Sequence, residues 1–237
     1  MRKPLTITVL VALLWIPGLY AQQASIIEYL AEFERKYGHD ADLVNGEKYF
    51  YPYRQSLGDP FFFPEARKAA ITVHEKQFRD QLLRYDIFNQ KLILDFKDLY
   101  GASSSLVLRN EWVESFAFEH QRFVKLEGPG GIPGFYQMVW DGPISCVYRW
   151  SKKYQLNLTS GEQNYYFTDP VKESFLVVDG RFHFYRNNRA FVKIFDPEIQ
   201  KTIKQFMRQS KVKVNRGSDA QIRHLMEYCN TLVHEDS

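Results

Sequence analysis

The sequence predicts an α+β fold, a mainly antiparallel curved β-sheet or partial barrel with an N-terminal helix and two C-terminal helices. Three observations carry this expectation. Between Ala69 and Phe195, short runs of alternating apolar and polar residues recur every few positions, many separated by residue pairs that accept positive φ. Aromatic residues make up 16% of the chain, and rings suit the half-buried surface of a pleated sheet. After Phe195 the apolar period lengthens from two to between three and four, the spacing of a helix face.

Taken in order, the chain opens with Arg2 and Lys3, an apolar run from Leu5 to Ile16, then Pro17, Gly18 and Ala21. A basic start, a short apolar segment and a small residue at its end describe a secretory signal peptide over 1–21, cleaved near Ala21. The alternative is a retained anchor, although Pro17 breaks the run well short of the roughly 20 apolar residues of a membrane span. Residues 22–237 then read as one exported domain without a further membrane span. Residues 25–37, SIIEYLAEFERKY, place Ile26, Leu30, Phe33 and Tyr37 on one helical face before Gly38 ends it. The next thirty residues, punctuated by Pro52, Gly58, Pro60 and Pro64, read as short strands and turns.

From Ala69 the reading is strand, turn, strand. AITVHEKQF leads into QLLRYDIF, and Asn89-Gln90 separates this from KLILDF. His120-Gln121, Asp141-Gly142-Pro143, Asp179-Gly180 and Asn187-Asn188 separate further pairs, the last joining RFHFYR to a strand in RAFVKIF. Strands spaced so closely argue for hairpins, not for a parallel sheet with crossover helices. Within LLRYDIF, alternation sends Leu83, Tyr85 and Ile87 to the core and leaves Arg84 and Asp86 as a surface ion pair. Asp196-Pro197-Glu198 starts a helix over 196–210 with an apolar stripe of Ile199, Ile203, Phe206 and Met207. Ser218 and Gln221 form a capping-box pattern for a second helix over 218–233.

The chemistry is marked by missing patterns. GPGGIPG at 128–134 lacks the Gly-Lys-Ser/Thr ending of a phosphate-binding loop, and there is no G-x-S-x-G elbow. His74-Glu75 has no second histidine four residues on, and His183 stands alone among aromatics. HDADLVNG at 39–46 offers His39, Asp40, Asp42 and Asn45, but Val44 and Asn45 occupy positions where a calcium loop needs an oxygen donor and a glycine. The sequence therefore assembles no catalytic set and calls for no metal or cofactor. Cys146 and Cys229 are either a disulfide or two buried thiols. The formal net charge of +3 falls by two with the leader, to +1, which with export argues against nucleic acid as a partner.

Two stretches remain as candidate binding surfaces. Residues 49–63 hold seven aromatics in fifteen, and Tyr49, Tyr51, Tyr53, Phe61 and Phe63 are candidates to line a groove for an apolar or carbohydrate ligand. From Lys193 to Arg216 seven cations face only Asp196 and Glu198. Of these Lys201, Lys204, Arg208, Lys211, Lys213 and Arg216 are candidates to contact an envelope protein or an anionic outer-membrane surface.

The segments LVNGEKYFYPY, GDPFFF, LLRYDIFNQKLIL, WVESFAFEHQRFVKL, GFYQMVWDGPISCVYRW and the tail around LMEYCNTL together resemble an uncharacterised exported β-rich protein family of Bacteroidota. The resemblance implies a bacterial envelope setting and carries no residue roles. Three functions follow as expectations, in order: a non-catalytic envelope protein binding a macromolecular partner, a periplasmic carrier of an apolar ligand, and a hydrolase without a recognised motif.

Overall fold

The computed structural model describes residues 40–98, 100–157 and 164–235. The leader expected at 1–21, the helix expected at 25–37 and His39 lie outside the described residues. In chain order the strands are β1 (Gly46–Lys48), β2 (Arg67–Val73), β3 (Lys76–Asp86), β4 (Lys91–Lys97), β5 (Ser103–Leu108), β6 (Val113–Phe118), β7 (Gln121–Glu127), β8 (Pro133–Trp140), β9 (Ile144–Ser151), β10 (Tyr154–Asn157), β11 (Asn164–Phe167), β12 (Val171–Val178) and β13 (Arg181–Tyr185). Helices α1 (Asn188–Val192), α2 (Pro197–Gln209) and α3 (Asp219–Glu235) follow. Among the described residues, eleven strands form one antiparallel sheet in the order β1-β5-β4-β3-β2-β6-β7-β8-β9-β12-β13, and β10 pairs with β11 alone.

The large sheet ends on β1 and β13 and is not closed, yet it is strongly curled. Four strand steps separate β3 from β8, about 19 Å in a flat sheet. The rings of Tyr85 on β3 and Phe135 on β8 nevertheless have centroids 6.1 Å apart. Phe116 and Phe123 stack between them at 4.8 Å, and all four residues are almost wholly buried. The concave side is thus filled with rings, whose burial from water stabilises the curled sheet.

Beyond β13 the three helices pack on the face carrying Cys146, Tyr148, Leu176 and Tyr185. Helix α2 buries Ile199, Ile203 and Met207, and its half-buried Phe206 stacks on Tyr228 of α3 at 4.0 Å. Ser218 and Gln221 cap α3 reciprocally: Ser218 N–H donates to Gln221 Oε1, and Gln221 N–H donates to Ser218 Oγ. Asn230, buried on α3, accepts from the Ile144 N–H at 3.0 Å and donates to the Ile144 carbonyl at 3.1 Å, fixing the helix to the start of β9. No described helix is long and apolar enough to cross a membrane.

Four sequence expectations need correction. AITVHEKQF is not one strand: His74 and Glu75, at φ 47° and 66°, form a tight turn between β2 and β3. Glu75 is not a usual choice for positive φ. The turn is held by Glu75 N–H donating to Glu114 and by His74 lying 4.5 Å from the Trp112 ring. RAFVKIF is not a strand either, because the Asn187 side chain accepts from the Ala190 N–H and caps α1.

The third concerns Arg84 and Asp86, which do not pair with each other. Arg84 Nη2 donates to Asp95 on β4 at 2.7 Å, and Asp86 is only 2% exposed. The outer face of β3 is covered here: Phe61, in line with β2, bridges to Asp86, and the Arg84 guanidinium lies 5.0 Å from the Phe61 ring and 5.5 Å from the Tyr49 ring. Lastly, the short strands β5, β10 and β11 have no counterpart in the sequence reading, because SSSLVL and the two four-residue strands show little alternation. Of the two options for the cysteines, the structure holds separate buried thiols, and burial pushes each up to about 12.

Candidate functional site

Between α1, α2 and the loop that follows α2 lies a groove of about 480 Å³. Its apolar floor is Val192, Met207 and Val212, and Arg189, Lys204, Arg208, Lys211 and Lys213 surround it. Lys204 and Arg208 are four residues apart on α2 and so share one face, beside Met207. All five cations are exposed. Among the described residues, no carboxylate lines the groove and none of the five cations makes an ion pair. The carbonyls at the C-terminus of α2 favour positive charge nearby, which accounts for Arg208 and Lys211 locally. Arg189 is likewise in the last turn of α1, whereas Lys204 and Lys213 have no such compensation, and like charges gathered around one groove repel one another.

The loop wall is built with care for its backbone. Val212 N–H donates to the Met207 carbonyl and Lys211 N–H to the Arg208 carbonyl, the paired bonds that close a helix when the intervening residue is left-handed. Lys211 takes that position at φ 54°, where glycine is the usual occupant. Asn188 clamps the same loop from α1, donating to the Val212 carbonyl at 3.1 Å and accepting from the Val214 N–H at 2.9 Å. Replacing Lys211 by glycine should therefore raise stability by about 0.5 kcal/mol, since relief of roughly 1 kcal/mol of left-handed strain outweighs the added freedom of the unfolded chain. Thermal melts of the two proteins would check the sign, and a variant that melts lower would contradict the argument.

Of the six basic candidates, the structure brings Lys204, Arg208, Lys211 and Lys213 to one groove and leaves Lys201 and Arg216 outside its lining. Arg189 joins them and was not legible as a candidate, because it stands on an element read as a strand. Its signal was the Asn187 cap two residues before it.

The aromatic candidates divide. Phe61 is 3% exposed and faces Tyr51 at 6.2 Å, while Phe63 sits edge-on to Phe118 with the Arg67 guanidinium 3.7 Å above its ring. Tyr49 roofs Arg84, and its buried hydroxyl has no partner among the described residues. Burial pushes that hydroxyl up to about 12. Only Tyr51 and Tyr53 reach a groove, together with Tyr154 and Tyr165 from β10 and β11. At the 39–46 loop, Asp42 is hydrogen-bonded to Lys76 and lies 3.5 Å from His74, and the Lys76 bond holds its carboxyl below the usual range. A lysine therefore occupies the place a cation would take, and among the described residues no cluster of His, Cys, Asp and Glu is arranged for a metal ion. No family model, no curated protein and no solved structure matches this chain.

Proposed function

We propose that the protein is a non-catalytic, exported component of the bacterial cell envelope that docks on an anionic outer-membrane surface through the groove between α1 and α2. The observation that carries this reading is the convergence of five unpaired cations from three segments on one apolar-floored groove. Such a surface attracts polyanions over roughly a Debye length, and each cation near an anionic membrane contributes about 1 kcal/mol. The leader-like start of the chain and its resemblance to exported proteins support the compartment. The sheet is read as a partial barrel. Its concave side is packed with Tyr85, Phe116, Phe123 and Phe135, which gives a carrier of an apolar ligand less support than the docking reading.

Co-sedimentation with outer-membrane vesicles tests it, at 0.1 M and 1 M salt. Lys204, Arg208 and Lys213 changed together to Gln should weaken binding about a hundredfold at the lower salt, as expected for three surface cations. Wild-type binding should largely vanish at 1 M, where the Debye length is about 3 Å. Binding that ignores both salt and the triple change would remove the groove from the function. Capture of an acidic envelope protein from vesicles, with no binding to the protein-free anionic lipid, would move the partner from membrane to protein.

A further inference from the structure

We infer that Tyr51, Tyr53, Tyr154 and Tyr165, with Arg54 and Gln55 at the rim, form a binding site for a pyranose-containing glycan. The inference does not depend on the basic groove, which lies on other elements. The four rings line a groove of about 600 Å³ together with those two polar side chains, Pro52 and Asn164. They form a continuous series, with centroids 5.8 Å apart for Tyr51–Tyr53, 5.3 Å for Tyr53–Tyr154 and 5.1 Å for Tyr154–Tyr165. Tyr154 and Tyr165 stack within 14° of parallel, and Tyr165 remains 48% exposed. Buried Phe167, 4.9 Å from Tyr53 and 4.7 Å from Tyr154, supports the series from behind.

Hydrogen bonds tie the backbone around the site in place. Leu57 N–H donates to the Tyr165 carbonyl at 2.9 Å and Phe167 N–H to the Leu57 carbonyl at 3.0 Å, so residues 53–57 are tied to β11. Ser56 Oγ donates to the Tyr53 carbonyl at 2.7 Å, and Asn89 Nδ2 donates to the Tyr53 hydroxyl at 3.1 Å. Preorganisation of this kind lowers the ordering cost that weak ligands must otherwise overcome.

The chemistry of the lining selects the ligand class. The face of a tyrosine ring is electron-rich, and the axial C–H groups on one side of a pyranose are weakly positive, so the two stack. The sugar's rim carries hydroxyls, which need donors and acceptors in the same plane. Among the described residues the side chains of Arg54 and Gln55 have neither a hydrogen-bond nor an ion-pair partner, and both are exposed beside the rings. A planar guanidinium and a planar amide suit adjacent hydroxyls. A wholly apolar ligand would cover these groups and leave them unpaired.

Calorimetric titration with chitohexaose and maltohexaose at 1 M salt, where the basic groove is screened, tests the site. At least one hexaose should bind saturably, Tyr165→Ala should weaken it about tenfold, and Tyr165→Phe should restore it, because the ring and not the hydroxyl makes the stack. Tyr165 is half exposed, so the alanine variant should keep the wild-type melting temperature. If it does not, the paired change Arg54→Ala and Gln55→Ala, confined to exposed side chains, must weaken binding instead. Absence of binding by both hexaoses overturns the inference, as does equal affinity in Tyr165→Ala or in the paired variant. A decaproline peptide that binds here while both glycans fail would assign the groove to peptide and overturn it equally.

Discussion

Tyr85→Ala should destabilise the fold by about 4 kcal/mol, the range for removing a large buried aromatic side chain. The ring is 1% exposed and meets Phe116 at 5.2 Å, Phe123 at 5.4 Å and Phe135 at 6.1 Å, so its loss opens a cavity where β3 and β8 approach across the curl. Its hydroxyl also donates to Gln90 Oε1 at 2.7 Å, and Gln90 in turn donates to the carbonyls of Ile87 and Trp150. Tyr85→Phe keeps the packing and strands only Gln90 Oε1, at about 1 kcal/mol. Urea titration of both variants measures the two contributions apart. An alanine variant within 1 kcal/mol of wild type would mean that the concave side is not filled as described. With total stabilities of about 5–15 kcal/mol for ordinary domains, the expected loss is a large fraction of the whole.

The second large effect is at Asp86. Its Oδ1 accepts from the N–H groups of Phe88 at 3.0 Å and Asn89 at 2.7 Å, and its Oδ2 accepts from Asn89 Nδ2 at 2.8 Å. Asp86→Ala leaves the Phe88 and Asn89 N–H groups without this acceptor and Asn89 Nδ2 with only the Tyr53 hydroxyl, and should cost about 3 kcal/mol. Asp86→Asn retains one acceptor and should cost about 1 kcal/mol. Burial raises the carboxyl above its ordinary 3.8, outweighing the hydrogen bonds that lower it. The folded state therefore holds the proton more tightly than the unfolded chain. Wild-type stability from this group is fully present below pH 3.8 and is lost as pH rises through the folded value. Asparagine does not titrate, so its deficit relative to wild type should be largest in acid and shrink upward through that window. A deficit that instead grows with pH would show that the hydrogen bonds dominate and that the carboxyl is lowered.

These two neighbours also mark what was legible in the sequence. Alternation placed Tyr85 in the core correctly, since side-chain period follows from the strand itself. It failed at Arg84 and Asp86 because alternation names a face without naming what covers it. The cover, Tyr49 and Phe61, comes from a proline-rich segment whose path no local pattern specifies. The antiparallel sheet was legible for the same local reason, as hairpins bring sequence neighbours together. The His74–Glu75 turn was not, because its positive φ is enforced by Trp112 and Glu114 from β6 and its approach and not by the residues themselves. Four of the groove cations could be read as a charged run, but Arg189 could not. Tyr154 and Tyr165 became partners of Tyr53 only through the pairing of β10 with β11.

The strand order divides the sheet into two meanders, β2 to β5 and β6 to β9, whose strands pair with each other only where β2 meets β6. Each meander closes through short hairpins and needs no distant partner, whereas the Ala70–Ala117 pairing must wait until β3, β4 and β5 have been made. Chain-closure entropy makes such a seam slow relative to the hairpins on either side. During vectorial synthesis, β2 would therefore present Ile71 and Val73 on an open edge while β6 is still emerging, an arrangement prone to mispairing with another chain. The seam, and not the chain ends, is where a chaperone would have most to protect.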